Sequence, residues 1–322
     1  MIGKLQYAVT EIQKHYDDTD WWHQRLQSRV AGPVLGRIHG RDGIDIMNED
    51  WDNLLVLDAL RADMFEETIS TDQFDEYRAV TSKGSSSPEW MRENFQGESY
   101  GDTVYVTANP WISKVAPDAF HDIINVWVQE RDVEETELRD AVTLKDLGVA
   151  PGKTITPDQV NEVVRDVVDT YPDKRLVVHY FQPHAPCIGR PDGTEKEDTE
   201  INIDLHPGST LKNGVVEHDE VWKAYTDNTE YVYHYAKRLA QDIDGKTVFT
   251  ADHGEMFGEW LWPFPIRGYA HPTGLRHPKL VTVPWAVLDD GERRDVTDEG
   301  VKAHVADDAE IDERLRDLGY KV

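Results

Sequence analysis

The sequence is poor in cysteine and in basic residues, and it has no long apolar run. A single cysteine, Cys187, excludes an internal disulfide bond and fits a reducing compartment. No stretch approaches the ~18 apolar residues of a membrane-spanning helix, and the N-terminus has no apolar signal-peptide core. We therefore expect a soluble, cytoplasmic protein without stable membrane insertion.

The shortage of basic residues leaves the chain strongly acidic. It has 62 Asp and Glu against 34 Lys and Arg, which gives a net charge of −28. Such a surface repels phosphate backbones and argues against nucleic-acid binding. The acids are dispersed along the chain, a pattern typical of proteins that work in concentrated salt, where screening removes self-repulsion. An acidic protein without a salt requirement is the alternative.

Apolar runs alternate with amphipathic segments along the chain, which predicts strands alternating with helices. The predicted strands are 53–58, 102–109, 174–181, 246–252 and 281–289. Predicted helices include 4–30, 88–95, one that starts at Thr156-Pro157, and 219–242. We expect a three-layer α/β/α sandwich with a largely parallel central sheet. Residues 1–48 are predicted to form an N-terminal helical extension and residues 49–322 a single α/β catalytic domain.

Two of the predicted strands end in polar side chains. Asp58 closes 53–58, and Asp252 and His253 close 246–252. Asp58 alone would also suit a helix N-cap. The carboxyl ends of parallel strands meet at one edge of a sheet, where ligands bind. Two carboxylates and an imidazole there suit a divalent cation such as Zn²⁺ or Mn²⁺, so Asp58, Asp252 and His253 are the predicted metal ligands.

These two strands carry a family resemblance. NLLVLDALRAD and VFTADHGEMFGE resemble the sulfatase branch of the alkaline phosphatase superfamily, and the acidic composition makes the chain similar to haloarchaeal sulfatase-like proteins. Three further stretches agree in order: HYFQPHAP (179–186), YAHPTGLRHPKLVTVPW (269–285) and RLRDLGY (314–320). The resemblance implies a metal-dependent hydrolase of phosphoric or sulfuric esters. It favours Mn²⁺ or Zn²⁺, leaves Ca²⁺ and Mg²⁺ open, and implies a small anionic ester or a glycan as substrate.

The resemblance also implies a serine nucleophile within GSSSP, residues 84–88. The spacing of sulfatases, two residues before the proline, selects Ser86. A comparison with the lipoteichoic acid synthase branch selects Ser85 instead, and Ser87 ranks last. The structural alternative is a serine-rich turn that caps a helix. Trp90 stands where sulfatases need an arginine for conversion of the nucleophile to formylglycine, so we expect an unmodified serine that prefers phosphate to sulfate.

Two histidines match further positions of the family. His184 and His271 are predicted to protonate the leaving group or to hold a second metal, although Gln182 replaces one expected ligand of that second metal. We interpret His179 and His277 as packing or surface residues. Arg61 and Glu255 are interpreted as structural residues that orient their neighbours.

The sequence leaves two other functions open. One is a transferase that moves a phospho-alcohol group onto a glycan or lipid, and the other is an inactive, metal-stabilised binding protein. The loops 110–155 and 187–218 carry no motif, so neither the substrate nor the oligomeric state can be predicted.

Overall fold

A computed structural model describes residues 10–126, 154–196, 211–302 and 308–317. Much of both motif-free loops, the start of the predicted helix 4–30 and the end of RLRDLGY therefore lie outside the described residues. The helices are α1 Thr19–Leu26, α2 Gly32–Ile38, α3 Ala62–Thr68, α4 Ser87–Phe95, α5 Trp111–Val115, α6 Pro157–Thr170, α7 His218–Asp242, α8 Pro278–Val281 and α9 Asp308–Asp317. A π-helical turn, Gln27–Ala31, joins α1 to α2.

Seven strands form the central sheet, in the order β2-β9-β6-β1-β5-β3-β4. Strand β9 runs antiparallel to β6 and β2, whereas β6, β1, β5, β3 and β4 pair in parallel. A separate hairpin consists of β7 and β8. The strands are β1 Asn53–Asp58, β2 Glu76–Thr81, β3 Tyr100–Thr107, β4 Phe120–Asn125, β5 Arg175–Pro183, β6 Gly245–Thr250, β7 Met256–Trp260, β8 Arg267–Ala270 and β9 Thr282–Asp290.

Helices cover both faces of the sheet. Leu55 and Leu57 of β1 face a core shared with α3, α6 and α7. Leu54 and Val56, which point the other way, face a core shared with α4 and α5. Because successive side chains of a strand alternate between faces, a strand between two helical layers is apolar throughout. The predicted three-layer α/β/α fold is confirmed.

The predicted strands are present, and the structure adds β2, β4, β7 and β8, which the sequence patterns did not predict. Strand β2 is mostly exposed and pairs along one edge with β9 alone, so its sequence, EYRAVT, lacks a continuous apolar run. Strand β4 contains His121 and Asp122, which interrupt its apolar pattern although both are buried. Helix α6 begins as predicted, because Thr156 accepts a hydrogen bond from the Gln159 amide and Gln159 reciprocates in a capping box.

The N-terminal helices pack against the β7–β8 hairpin. Ala31 and Leu35 share a small core with Leu261 and Leu280, and His23 Nε2 lies 2.8 Å from the Arg267 carbonyl oxygen. The domain boundary near residue 48 stays a prediction. Within the described ranges, no helix combines the length and the apolar character needed to cross a bilayer.

Candidate metal centre and nucleophile

Three buried side chains converge at the carboxyl ends of neighbouring strands. Asp58 ends β1, Asp252 follows β6, and His179 lies within β5. Strand β1 lies between β5 and β6, so the three side chains meet at one edge of the sheet. Their candidate ligand atoms all lie within 4.8 Å of one another. The structure thus brings the two predicted aspartates together and adds a histidine to them.

Hydrogen bonds fix one oxygen of each aspartate and leave the other unpaired. Asn109 Nδ2 donates to Asp58 Oδ2 at 2.7 Å. The amides of Ala59 and His253 donate to Asp252 Oδ1 at 3.0 and 2.8 Å. Ala59 reaches this position with φ of 62°, a left-handed conformation that is uncommon outside glycine and recurs at functional sites. Asp58 Oδ1 and Asp252 Oδ2 are buried without a hydrogen-bond partner.

His179 contributes a third unpaired atom. Its Nδ1 lies 2.7 Å from the Tyr105 hydroxyl, which fixes the ring. Its Nε2 lies 3.8 Å from Asp58 Oδ2 and 3.7 Å from Asp252 Oδ2, and it has no hydrogen-bond partner. Burial lowers the pKa of His179 to about 4, so the ring is neutral at physiological pH and its Nε2 can act as a ligand.

His253 directs another acceptor at the same point. Its Nδ1 is 2.8 Å from the Gly254 carbonyl oxygen, and a carbonyl only accepts, so Nδ1 carries the proton. Burial lowers the pKa of His253, which leaves the ring neutral and Nε2 an acceptor. This Nε2 lies 3.6 Å from Asp58 Oδ1 and 3.4 Å from Asp252 Oδ2. Buried acceptors that face one another repel unless a cation lies between them, so the donor set fits a divalent metal.

The pKa values of the two carboxyl groups shift in opposite directions. Burial and the nearby charge of Asp252 raise the pKa of Asp58 well above its usual value. Burial opposes ionisation of Asp252 as well, but hydrogen bonds to its carboxylate and the neighbouring imidazoles favour the ionised form, so the pKa of Asp252 is lowered. In the absence of a cation, the ionised form is therefore disfavoured at Asp58 and favoured at Asp252.

The three serines at the start of α4 face different neighbours. Ser85 Oγ bonds Glu89 Oε2 at 2.6 Å, and Ser86 Oγ lies 2.8 Å from Thr273 Oγ1. Ser87 Oγ lies 3.2 Å from His253 Nε2 and 3.5 Å from Asp58 Oδ2. The geometry therefore favours Ser87 as the hydroxyl of the candidate metal centre, whereas Ser85 and Ser86 tie the helix to the loop at 272–274.

A second group of polar side chains adjoins His253. The ring centroids of His253 and His271 are 4.7 Å apart, and those of His271 and His184 are 5.0 Å apart. His271 Nδ1 donates to Glu255 Oε2 at 2.7 Å. Burial works against a charge on His271, but Glu255 outweighs it and raises the pKa of His271. Burial, followed by the charge of His271, lowers the pKa of His184 to about 3. The group thus contains one protonatable histidine and one neutral histidine.

Sequence reasoning located Asp58, Asp252 and His253 but did not assign a ligand role to His179 or consider Asn109. The only available signal for His179 was a histidine inside an otherwise apolar strand. His277, interpreted as a packing or surface residue, caps α8 by accepting a hydrogen bond from the Lys279 amide. Gly254 allows the backbone of Lys279 to pack directly against it, because a Cβ at residue 254 would lie 2.2 Å from the Lys279 carbonyl oxygen.

No protein-family model and no curated protein sequence matches the chain. Among solved structures, it is similar to an integral membrane lipooligosaccharide phosphoethanolamine transferase, EptA, from Neisseria meningitidis, with 12% identity, a TM-score of 0.47 and coverage of 74% of this chain. The alignment covers 47% of that transferase, so the chain spans about half of its length.

Two further solved structures show a similar arrangement. One is the C-terminal periplasmic domain of EcEptC from Escherichia coli in complex with Zn, with 12% identity, a TM-score of 0.39 and coverage of 76% and 75% of the two chains. The other is a protein in the alkaline phosphatase superfamily from Vibrio parahaemolyticus, with 13% identity, a TM-score of 0.38 and coverage of 82% and 69%. The similar structures therefore include a protein of the alkaline phosphatase superfamily.

Proposed function

We propose that this protein is a metal-dependent enzyme that cleaves small phosphoric esters with Ser87 as its nucleophile. One observation carries the proposal: three buried polar atoms, Asp58 Oδ1, Asp252 Oδ2 and His179 Nε2, lack hydrogen-bond partners beside a serine hydroxyl. A structural role alone would leave these atoms as an unexplained energetic cost, since each unpaired buried polar atom costs about 1–3 kcal/mol.

The ligand set consists of Asp58, Asp252, His179 and His253. It combines carboxylate and imidazole ligands. Such a mixed set suits Zn²⁺ or Mn²⁺ better than Ca²⁺ or Mg²⁺, which prefer sites made of oxygen ligands alone. A bound divalent cation would lower the pKa of the serine hydroxyl and polarise the phosphoryl oxygen.

The residues of the chain provide the proton transfers. Because His253 Nε2 would bind the cation, Asp58 Oδ2, 3.5 Å from Ser87 Oγ, is the acceptor left for the Ser87 hydroxyl proton. The Ser87 oxygen then bonds to phosphorus while the ester P–O bond breaks. His271, whose pKa Glu255 raises, supplies a proton to the departing alcohol. Water cleaves the seryl phosphate in the second step and regenerates Ser87.

The surroundings of Ser87 favour phosphate over sulfate. Ser87 is the first residue of α4, whose free backbone N–H groups attract anions. Trp90 is buried beside Phe95 and His179, so the position of the sulfatase maturation arginine is a core position here. A phosphoryl group carries more negative charge than a sulfuryl group. A site of one cation and one helix N-terminus should therefore stabilise the transition state of phosphoryl transfer more than that of sulfuryl transfer.

The test measures turnover of aryl phosphate monoesters, aryl phosphate diesters and aryl sulfates with each of the four divalent ions. We expect phosphoester cleavage that chelation abolishes, and we expect Ser87→Ala to lower kcat by at least about 10³-fold. Ser86→Ala is the matched control and should retain most activity, since its hydroxyl contacts Thr273. Full loss in Ser86→Ala with an active Ser87→Ala would restore Ser86 as the nucleophile.

Product analysis in the presence of glycerol separates hydrolysis from transfer, because a transferase forms glycerol phosphate in place of free phosphate. A mass spectrum of the peptide 84–92 after acid quenching reports the phosphoseryl intermediate or formylglycine. Tight metal binding without turnover of any ester would contradict the proposal and show that the protein is an inactive, metal-stabilised binding protein.

A further inference from the structure

A second feature of the surface lies outside the metal centre and concerns the N-terminal helices. Residues 21–41 contain four arginines and no acidic residue, in a chain with a net charge of −28. Since about one residue in five of the whole chain is acidic, this local reversal of charge sets the segment apart. Basic amphipathic helices of this kind are typical of membrane-surface segments.

Three of these arginines are available to an external partner. Arg29, Arg37 and Arg41 are exposed, and none of them has a carboxylate at ion-pair distance in the part of the chain that the structure describes. Arg25 differs, because it stacks on Trp21 and lies 3.7 Å from Glu11. The unpaired arginines present positive charge to solvent, where an anionic partner can reach it.

Large apolar side chains are exposed on the same helices. Trp22, Leu26 and Val30 follow one another at intervals of four residues and are all exposed, so they form one stripe along the helix. Helix α1, the π-turn and α2 together span about 30 Å at 1.5 Å per residue. An exposed apolar stripe together with unpaired arginines is typical of helices that lie in a membrane interface.

The β7–β8 hairpin extends this surface. His23 of α1 contacts the Arg267 carbonyl, and Arg267 pairs with Trp260 across the hairpin and stacks on its ring. Trp260 is 55% exposed and Trp262, in the turn, is 76% exposed. Tryptophans concentrate at the headgroup level of bilayers, because one part of the ring system is apolar and one part donates a hydrogen bond.

The hairpin connects this surface to the metal centre. Glu255 immediately precedes β7, His271 immediately follows β8, and their 2.7 Å hydrogen bond closes the base of the hairpin. Five residues of strand β7 at about 3.3 Å each separate the base from the exposed turn by roughly 16 Å. A partner bound at the turn therefore lies close to the candidate active site.

We propose that helices α1 and α2 and the tip of the β7–β8 hairpin form a surface that docks peripherally on an anionic phospholipid bilayer. The arginines contact lipid phosphates, and the tryptophans enter the headgroup layer. The remaining negative charge does not prevent docking, since charges further away than about 10 Å are screened in 0.1 M salt. A second copy of the chain is a poorer occupant, because a two-fold dimer through this face would place arginine against arginine. This proposal does not depend on the catalytic one.

The test is co-flotation with vesicles of equal parts phosphatidylglycerol and phosphatidylcholine, compared with vesicles of phosphatidylcholine alone. It is carried out at the lowest KCl concentration at which the thermal melt shows a folded protein. We expect the wild type to float with the anionic vesicles only. Trp260→Ala with Trp262→Ala should weaken partitioning at least about tenfold. Arg29→Gln with Arg37→Gln should weaken it by about fivefold for each arginine at low salt, and by less at high salt.

Val215→Ser and Lys223→Gln are the matched controls, since they remove an exposed apolar and an exposed cationic side chain elsewhere. Both should bind vesicles like the wild type. Thermal melts of all variants verify folding. Absence of flotation, equal flotation with neutral vesicles, or flotation unchanged in the tryptophan double variant would each overturn the proposal. Light scattering that shows a dimer dissociated by the same double variant would assign the face to a second copy instead.

Discussion

At the scale of single residues, the geometry of the candidate site depends on which oxygen of each carboxylate already accepts hydrogen bonds. Asn109 occupies Asp58 Oδ2, and two backbone amides occupy Asp252 Oδ1. Asn109 is itself fixed by Thr107, whose hydroxyl accepts from the Asn109 amide at 2.8 Å. The free oxygens are thereby aimed at one point before any ion binds, and this preorganisation lowers the entropic cost of binding.

Metal binding should be strong, dependent on Asp252, and dependent on pH. Asp252→Asn removes one charged ligand. We expect this substitution to lower the affinity for Zn²⁺ or Mn²⁺ by at least about 100-fold while the protein stays folded. In the wild type, a cation must compete with protons for Asp58, whose pKa is raised by burial and by the charge of Asp252. Affinity should therefore rise with pH until Asp58 is ionised in the metal-free protein. Calorimetric titration with Zn²⁺ or Mn²⁺ at several pH values measures both effects, and a pH-independent affinity would contradict the assignment of Asp58.

Asn109 should tune the site without contacting the metal. Asn109→Asp retains an acceptor for the Trp111 amide, which bonds Asn109 Oδ1 at 3.0 Å, but it places a third carboxylate beside Asp58. We expect the pKa of Asp58 to rise further and metal affinity at neutral pH to fall by about 10- to 100-fold. A residue that only supports the fold would change stability instead, so the expected shift of the affinity–pH profile toward higher pH identifies the positioning role.

At the scale of secondary-structure elements, Arg61 joins the site to its surroundings. Its guanidinium forms two bonds with Asp63, at 2.8 and 2.7 Å, and one with Glu259 at 2.6 Å. It thus connects the loop after β1 with α3 and with β7, and it also lies 5.0 Å from the Trp222 ring of α7. A planar guanidinium with several fixed partners holds elements at defined angles better than a lysine would.

Asp63 should contribute stability at neutral pH that disappears in acid. Burial opposes its ionisation, but Arg61 and Lys279 outweigh burial and lower the pKa of Asp63 to about 2. A group with a lowered folded-state pKa stabilises the fold above its unfolded pKa of about 3.9, and this stability is lost as pH falls toward 2. Because the side chain is 38% exposed, solvent screening limits the contribution to about 1 kcal/mol.

We therefore expect Asp63→Asn to reduce the free energy of unfolding by about 1 kcal/mol at pH 7 and by progressively less below about pH 4. Denaturant titrations of both proteins across this range measure the difference. Glu67→Gln on the same helix is the control and should change little, since Glu67 is exposed. A difference that stays constant down to pH 2.5 would show that packing, not charge, is responsible.

At the scale of the whole molecule, the negative charge is the dominant property. A net charge of −28 on 322 residues raises the free energy of the folded state through self-repulsion, and salt reduces this repulsion. Many of the carboxylates are exposed, so hydration of the surface contributes as well as screening. The fold itself does not depend on this property, because its cores are built from apolar side chains on both faces of the sheet.

The melting temperature should rise with KCl by more than about 10 °C between roughly 0.1 and 3 M, as screening removes the repulsion. Screening is nearly complete at about 0.5 M, so a gain that continues to several molar indicates an additional effect of surface hydration. Scanning calorimetry over this range, with potassium sulfate as a comparison, separates the two contributions. A flat melting temperature would refute the prediction of a high-salt protein and leave the candidate metal centre unaffected.

The sequence alone determined the layers of the fold and three of the candidate ligands, Asp58, Asp252 and His253. Continuous apolar runs such as 53–58 must be buried on both faces, and an aspartate at their end must lie at the edge of the sheet. Tertiary structure decided the rest. His179 joins the site because β5 pairs with β1 in a register that places Val56 beside His179, a contact between residues distant in sequence. Ser87, not Ser86, faces His253 because successive residues at a helix start point in different directions, and only the packing of α4 against the sheet determines which of them faces inward.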